Sequence, residues 1–331
     1  MGWKGTLRSM QAAARKAERE AQRRQRELER QRKQMEKMQE LERAAYEVEV
    51  YENRIDVLLS VHKECSDRLD WRSISRAAPP AEPRMIHRHE PAAQAALDGF
   101  EPGVFDKLFK RAEAKREELV TAVEQARQTD IEEYEEALQT YEQEYADWEA
   151  TCELAERVLA GELGAYLDVI RQVNPFSDLA ELGASVGFNV HSSSLIEADL
   201  RVHQEDVIPS EEKRLLKSGR LSTKNMTKTK FYALYQDHVC SSVLRVTREL
   251  FALLPVEMAI VNVVCDLLNT QTGHMEEETI ISAAIPRETL GRMNFDKVDP
   301  SDSLGNFVHR MKFLKTKGFR AVEAIDASEF V

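Results

Sequence analysis

The sequence predicts an α+β protein: a long antiparallel coiled-coil helical hairpin followed by a C-terminal α+β domain in the order β-β-α-β-β-α-α. Three observations carry this expectation. Of 331 residues, 31% are charged and only 13 are Gly and 10 Pro, a composition of long helices rather than of a loop-rich domain. Five of the ten prolines (Pro79, Pro80, Pro83, Pro91, Pro102) fall between positions 79 and 102. They separate two proline-free helical segments, because proline removes an amide donor and clashes with the preceding turn. Beyond Asn174-Pro175 the texture changes to β-branched and aromatic residues, which favour strands.

Residues 1–76 form the first arm. Leu41, Val48, Ile55, His62 and Leu69 lie seven apart, as do Ala44, Tyr51, Leu58 and Cys65, and Ala14, Ala21, Leu28 and Met35 make an earlier ladder out of phase. The phase break near Met38–Leu41 predicts a stammer, and His62 on this seam is expected to be a packed core histidine. Residues 77–103 form the proline-rich linker. Residues 104–173 form the second arm, with Ile131, Tyr134, Leu138, Tyr141, Tyr145, Trp148, Cys152, Ala155, Leu159, Leu163, Tyr166 and Ile170 spaced by three or four, a heptad seam. Charge sets the orientation. Residues 1–37 hold twelve Lys/Arg and five Glu, whereas 128–156 hold eleven Asp/Glu and no base. An antiparallel fold-back sets 8–37 against 137–166, and opposite flanking charges choose such partners. At ~1.5 Å per residue each arm would be about 100 Å long.

Residues 176–331 form the expected C-terminal domain. Val186, Phe188 and Val190, then Ile196, Ala198, Leu200 and Val202, alternate with polar neighbours about a His191–Ser194 turn, the pattern of a β-hairpin. A helix over 228–254 carries Phe231, Leu234, Tyr235, Val239, Val243, Val246, Leu250 and Leu254 on one stripe. Met258–Cys265 and Thr279–Ile285 are almost continuously apolar, as central strands are. Pro286–Leu290 starts a short helix, and Asp299-Pro300-Ser301-Asp302 caps a last helix carrying Leu304, Phe307, Val308 and Met311.

The segments FYALYQDHVCSSVLRVTRELFALLP and PRETLGRMNFDKVDPSDSLGNFVHRMKFLKTKGF resemble the C-terminal module of a family of uncharacterised bacterial coiled-coil proteins, and MGWKGTLRSMQAAARKAEREAQRRQRELERQRKQ resembles their opening. The likeness spans most of the chain. It implies a coiled coil joined to an α+β module and brings no activity, ligand or catalytic residue.

Candidate chemistry is sparse. Asp199 with Glu211 and Lys213 matches the D…E-x-K pattern of metal-dependent nucleases, in which carboxylates hold Mg²⁺ and lysine orients water. The competing expectation makes Ser210 a helix cap with Glu211 and Glu212 in the first turn. Two basic clusters without acids are candidates for anion or nucleic-acid binding: Lys213, Arg214, Lys217, Arg220, Lys224, Lys228 and Lys230; and Arg310, Lys312, Lys315, Lys317 and Arg320. The competing expectation for these is a solvated loop and a charged tail. His87-Arg88-His89 is half a metal site with no Cys or second His pair to complete it, so no metal and no cofactor is expected. The four cysteines form no C-x-x-C pair, which argues against a disulfide framework or zinc site and fits a reducing cytosol. No run approaches the ~18 apolar residues of a membrane span, and the Arg-rich start lacks the apolar core of a secretory signal. No phosphate-binding glycine loop or H-E-x-x-H is present.

The expected function is therefore a non-catalytic cytoplasmic scaffold. Its coiled coil binds a protein partner or a second copy, and its α+β domain recognises a partner. The alternatives are a nucleic-acid-binding or nuclease accessory using the basic clusters, and a peripheral membrane rod held by an N-terminal Trp3, Leu7, Met10 face.

Overall fold

The structure, a computed structural model, describes residues 33–102, 111–177, 179, 184–202, 207–268 and 272–330. The expectations for residues 1–32, among them the early basic ladder and the Trp3 face, lie outside these. The protein is mixed α+β, with a long helix at Ala112–Leu159 and a C-terminal mixed sheet.

The chain divides into two compact units, Met1–Asp67 with Val173–Val331, and Arg68–Gln172. The first expected arm is shared between them: residues 33–67 are grouped with the C-terminal sheet, and residues 68–76 with the long helix.

In the first unit, helix α1 (33–60) runs unbroken through the expected stammer and continues as a 3-10 turn, Val61–Lys63. The sheet comprises β1 (Ala184–Val190), β2 (Leu195–Val202), β5 (Met258–Leu268), β6 (Met275–Pro286), β7 (Val308–Leu314) and β8 (Gly318–Arg320), in the order β1-β2-β5-β6-β7-β8. All neighbours are antiparallel except β2 and β5, which are parallel. A parallel pair needs a crossover, and helix α6 (Lys228–Leu253) supplies it. As expected, the apolar strands β5 and β6 are central.

Two expectations fail locally. Glu211 and Glu212 open a strand, not a helix: β3 (Glu211–Leu215) pairs with β4 (Leu221–Asn225) in a separate ribbon. Gly219, at φ +77°, lets its turn close through Gly219 N–H to Leu216 O at 2.8 Å. The last helix, α8 (Pro300–Ser303), stops after one turn, although Asp299 caps it as expected. Beyond it Phe307, His309, Met311 and Phe313 alternate with more exposed neighbours, and that period of two makes β7. The expected charged tail is the β7–β8 hairpin. The short helix α7 (Arg287–Gly291) stands where expected.

Helix α6 explains why residues 33–67 belong here. Its apolar stripe faces the sheet, yet its polar residues His238, Ser241, Ser242, Arg245, Thr247 and Glu249 are buried too. Three residues of one stripe donate to backbone carbonyls at the C-terminal end of α1 and just beyond it. His238 Nδ1 reaches Leu58 O at 3.0 Å and Arg245 reaches Glu64 O at 3.0 Å, while Ser241 Oγ accepts the His62 N–H at 3.0 Å. Arg248 bonds His62 O and, at 3.0 Å, Lys63 O. A helix end leaves its last carbonyls without intrahelical partners, and α6 provides them. His62 is buried, as expected, though in this core rather than in a coiled-coil seam.

In the second unit, helix α4 (Ala112–Leu159) has 48 residues, a length of about 72 Å. It ends at Gly161, φ +76°, and α5 (Leu163–Val173) follows, so the expected continuous seam is two helices. The proline segment lies antiparallel along α4. Helix α2 (Trp71–Ile74) presents Ile74 O to Cys152 Sγ at 3.5 Å, Ala77 O accepts from Trp148 Nε1 at 2.9 Å, and helix α3 (Glu90–Asp98) starts at Asp130. The seam positions Cys152 and Trp148, and Asp130 just before the seam, thus bond backbone groups at the end of α2, just beyond it and at the start of α3.

Candidate functional site

Among the described residues, three places hold groups able to do chemistry. The first is the sheet face that carries Leu195, Ile260 and Ala284, against which Ile325 and Ala327 pack. Alternation along β2 puts Glu197, Asp199 and Arg201 on this same face. Asn262, across from Asp199 in the register, donates through Nδ2 to Glu197 Oε1 at 2.7 Å and Asp199 Oδ1 at 3.0 Å. Ser282 Oγ donates to Asn262 Oδ1 at 2.7 Å and accepts from the Ile325 N–H at 2.9 Å. His191 Nε2 stands 2.7 Å from Glu197 Oε2. One network therefore ties the β1–β2 turn, β2, β5, β6 and the C-terminal segment together. Beside it, Ser185, Gly187, Asp199, Arg201 and Glu277 line a cavity of about 450 Å³. Two carboxylates held by one amide beside an imidazole are equipment for acid–base work.

The expected D…E-x-K set is not brought together. Asp199 bonds Asn262 on the six-stranded sheet, while Glu211 and Lys213 sit on the separate ribbon, where Lys213 Nζ pairs with Glu47 Oε2 at 3.2 Å. That ammonium holds the Glu47 carboxyl below its ordinary value.

The basic clusters form the second place. Lys230 pairs with Glu212 at 2.8 Å, and Arg310 donates to Ala324 O at 3.0 Å. Arg214, Lys217, Arg220, Lys224, Lys228, Lys312, Lys315, Lys317 and Arg320 are exposed. Both clusters border the first turns of α6: the ribbon runs directly into it, and the β7–β8 hairpin reaches it through Phe319 on Tyr235, ring centroids 5.5 Å apart.

The third place is on α4. Asp130 is 1% exposed. Its Oδ1 accepts the N–H groups of Arg88 (3.1 Å) and His89 (2.9 Å), and its Oδ2 accepts that of Glu90 (2.9 Å). Burial acts to raise its pKa, but these donors and the nearby His89 outweigh it, and the carboxyl is held below its usual range. His89 Nε2 is 3.1 Å from Glu133, and His87 Nδ1 is 3.3 Å from Glu90.

Glu197, Asn262, Ser282, His191 and Asp130 were not singled out by the sequence patterns. Asn262 and Ser282 carry the one available signal, as polar residues inside otherwise apolar strands. No protein-family model, curated protein or solved structure matches this chain. Among the described residues, no helix is long and apolar enough to cross a membrane.

Proposed function

We propose that the protein is a cytoplasmic scaffold in which α4 is an interaction rod and the sheet domain a recognition module. One observation carries this. Ile131, Tyr134, Leu138, Tyr141, Tyr145 and Trp148 form a half-exposed apolar stripe at three-to-four spacing. The covering segment is a single extended strand of chain, anchored at Ala77 and at 88–90. The flanks of the stripe are acidic, with eleven Asp/Glu and no base over 128–156. A basic amphipathic helix complements such a face. The occupant is the basic segment 1–37 of a second copy, so the rod sets oligomeric state. Sedimentation of the full chain at about 50 mM and about 500 mM salt tests this. Self-association that salt weakens and that Tyr141→Asp with Tyr145→Asp abolishes is expected. A monomer under both conditions overturns it.

The exposed bases on two hairpins favour a second reading, a nucleic-acid-binding or metal-dependent nuclease accessory. A two-stranded ribbon fits a major groove, and phosphate contacts release counterions, so affinity would fall steeply with salt. Replacing Lys217, Arg220, Lys315 and Lys317 by Ala would weaken binding to every sequence alike. Cleavage lost on Glu211→Ala would favour the nuclease. The membrane-rod alternative rests on residues 1–32, outside the described part.

A further inference from the structure

The proline strap meets α4 at a cluster of metal-ligating groups drawn from both. The ligand atoms of His89, Asp130 and Glu133 lie within 4.8 Å of one another, and so do those of His87, Glu90 and Asp130. Asp130 is common to the two sets. Asp130 and Glu133 are i and i+3 on a helix, hence on one face, and the strap delivers the imidazoles to that face.

The spacing suits an ion. Donors bound to tetrahedral zinc at ~2.0–2.1 Å stand roughly 3.3–3.4 Å apart. His89 Nε2 and Glu133 Oε1, 3.1 Å apart, are close to that edge before any ion arrives. The two oxygens of the buried carboxylate accept the N–H groups of Arg88, His89 and Glu90, that of His89 shared between Oδ1 and Oδ2 at 2.9 and 3.2 Å. Those backbone donors fix the carboxylate's orientation, as outer partners of a metal ligand do. The acidic run over 128–156 attracts cations to this length of helix. Imidazole with carboxylates suits zinc and its first-row neighbours, whereas calcium and magnesium take oxygen ligands.

We propose that His89, Asp130 and Glu133 bind one divalent first-row transition ion of the zinc class, which staples the proline strap to α4. The fourth position takes water. His89 and Glu133 are both substantially exposed, with side-chain exposures of 40% and 51%, so their replacement leaves the fold intact.

Zinc is titrated into the full chain by calorimetry, with cobalt absorption reporting the coordination geometry. One saturable equivalent is expected in the wild type. His89→Ala and Glu133→Ala should each weaken it at least about tenfold, with unchanged helical circular dichroism. Bound zinc should also slow trypsin cleavage after Arg84 and Arg88. No saturable uptake by the wild type overturns the proposal, and so does wild-type affinity in His89→Ala. Loss of the site in His87→Ala alone overturns the choice of ligands.

Discussion

The Asp130 carboxylate accepts the backbone N–H of Glu90 at 2.9 Å, and so caps a helix on a distant stretch of chain. The residue at the N-cap of α3 itself, His89, makes no capping bond with its side chain. The orphan donors of a helix start need an acceptor, and α4 lends one from mid-helix. Asp130→Ala should therefore loosen α3 and the strap together while α4 persists. Limited trypsin digestion is expected to cut after Arg84 and Arg88 several-fold faster, with little change in helical signal. Equal cleavage in variant and wild type would show that the strap is held elsewhere.

Glu249 is buried beside Arg245 and accepts the Ser66 N–H through Oε1 at 2.8 Å. Glu249→Ala leaves a guanidinium uncompensated in the core and an amide without its acceptor. Breaking a buried pair in this way costs about 3–5 kcal/mol. Glu249→Gln keeps an acceptor for Ser66 and should lose less. Urea midpoints of the three proteins check the order, and equal losses for Ala and Gln would show that charge alone decides.

The patterns legible in the sequence were those in which side-chain hydrophobicity alone sets structure. The β1–β2 alternation, the apolar strands β5 and β6, the stripe of α6 and the Asp299 cap all appear where expected. The misses have one physical origin, which is backbone polar groups seeking partners. His238, Ser241 and Arg245 stand outside the apolar stripe of α6, yet they are buried, because residues 58–64 offer backbone polar groups to them. The seam of α4 predicted a helical partner, and within this unit Trp148 and the neighbouring Asp130 instead bond backbone groups at Ala77 and at residues 88–90. Heptad spacing records which positions are covered and not what covers them. The site on the sheet was hidden for a related reason: Asn262 and Glu197 are 65 residues apart in the chain, and only the parallel register of β2 with β5 brings them together.

Two buried histidines make stability depend on pH. His62 Nε2 lies 3.1 Å from Phe295 O, a pure acceptor, so that nitrogen carries the proton and Nδ1 accepts from Ser241 Oγ at 2.9 Å. Burial is the main cause that lowers the pKa of both His62 and His238, and it outweighs the carbonyl partners that favour the charged ring. The unfolded chain, with histidines near pKa 6.5, therefore binds more protons than the folded one on acidification. Their full contribution is present above about pH 6.5 and is lost as pH falls towards the folded values. The slope is at most ~1.4 kcal/mol per pH unit for each histidine. Unfolding midpoints should drop between about pH 7.5 and about pH 5.5. His238→Gln with His62→Gln should flatten that dependence, and an unchanged slope would assign it to other groups.

Gly219 links the ribbon to α1. Its φ of +77° suits glycine, and a Cβ placed there would stand 2.9 Å from Leu41 Cδ2. Alanine at this position meets two separate penalties. The left-handed backbone costs roughly 1–2 kcal/mol for a residue with a Cβ, and the methyl group must displace a leucine side chain. Only the second depends on Leu41. A double-mutant cycle separates them: Gly219→Ala should cost less in a Leu41→Ala background, by about 0.5–1 kcal/mol, as touching residues do. Leu41 has a flexible end, so part of the clash relaxes and the coupling stays in that range. Strictly additive losses would show that α1 does not rest on the ribbon turn in solution.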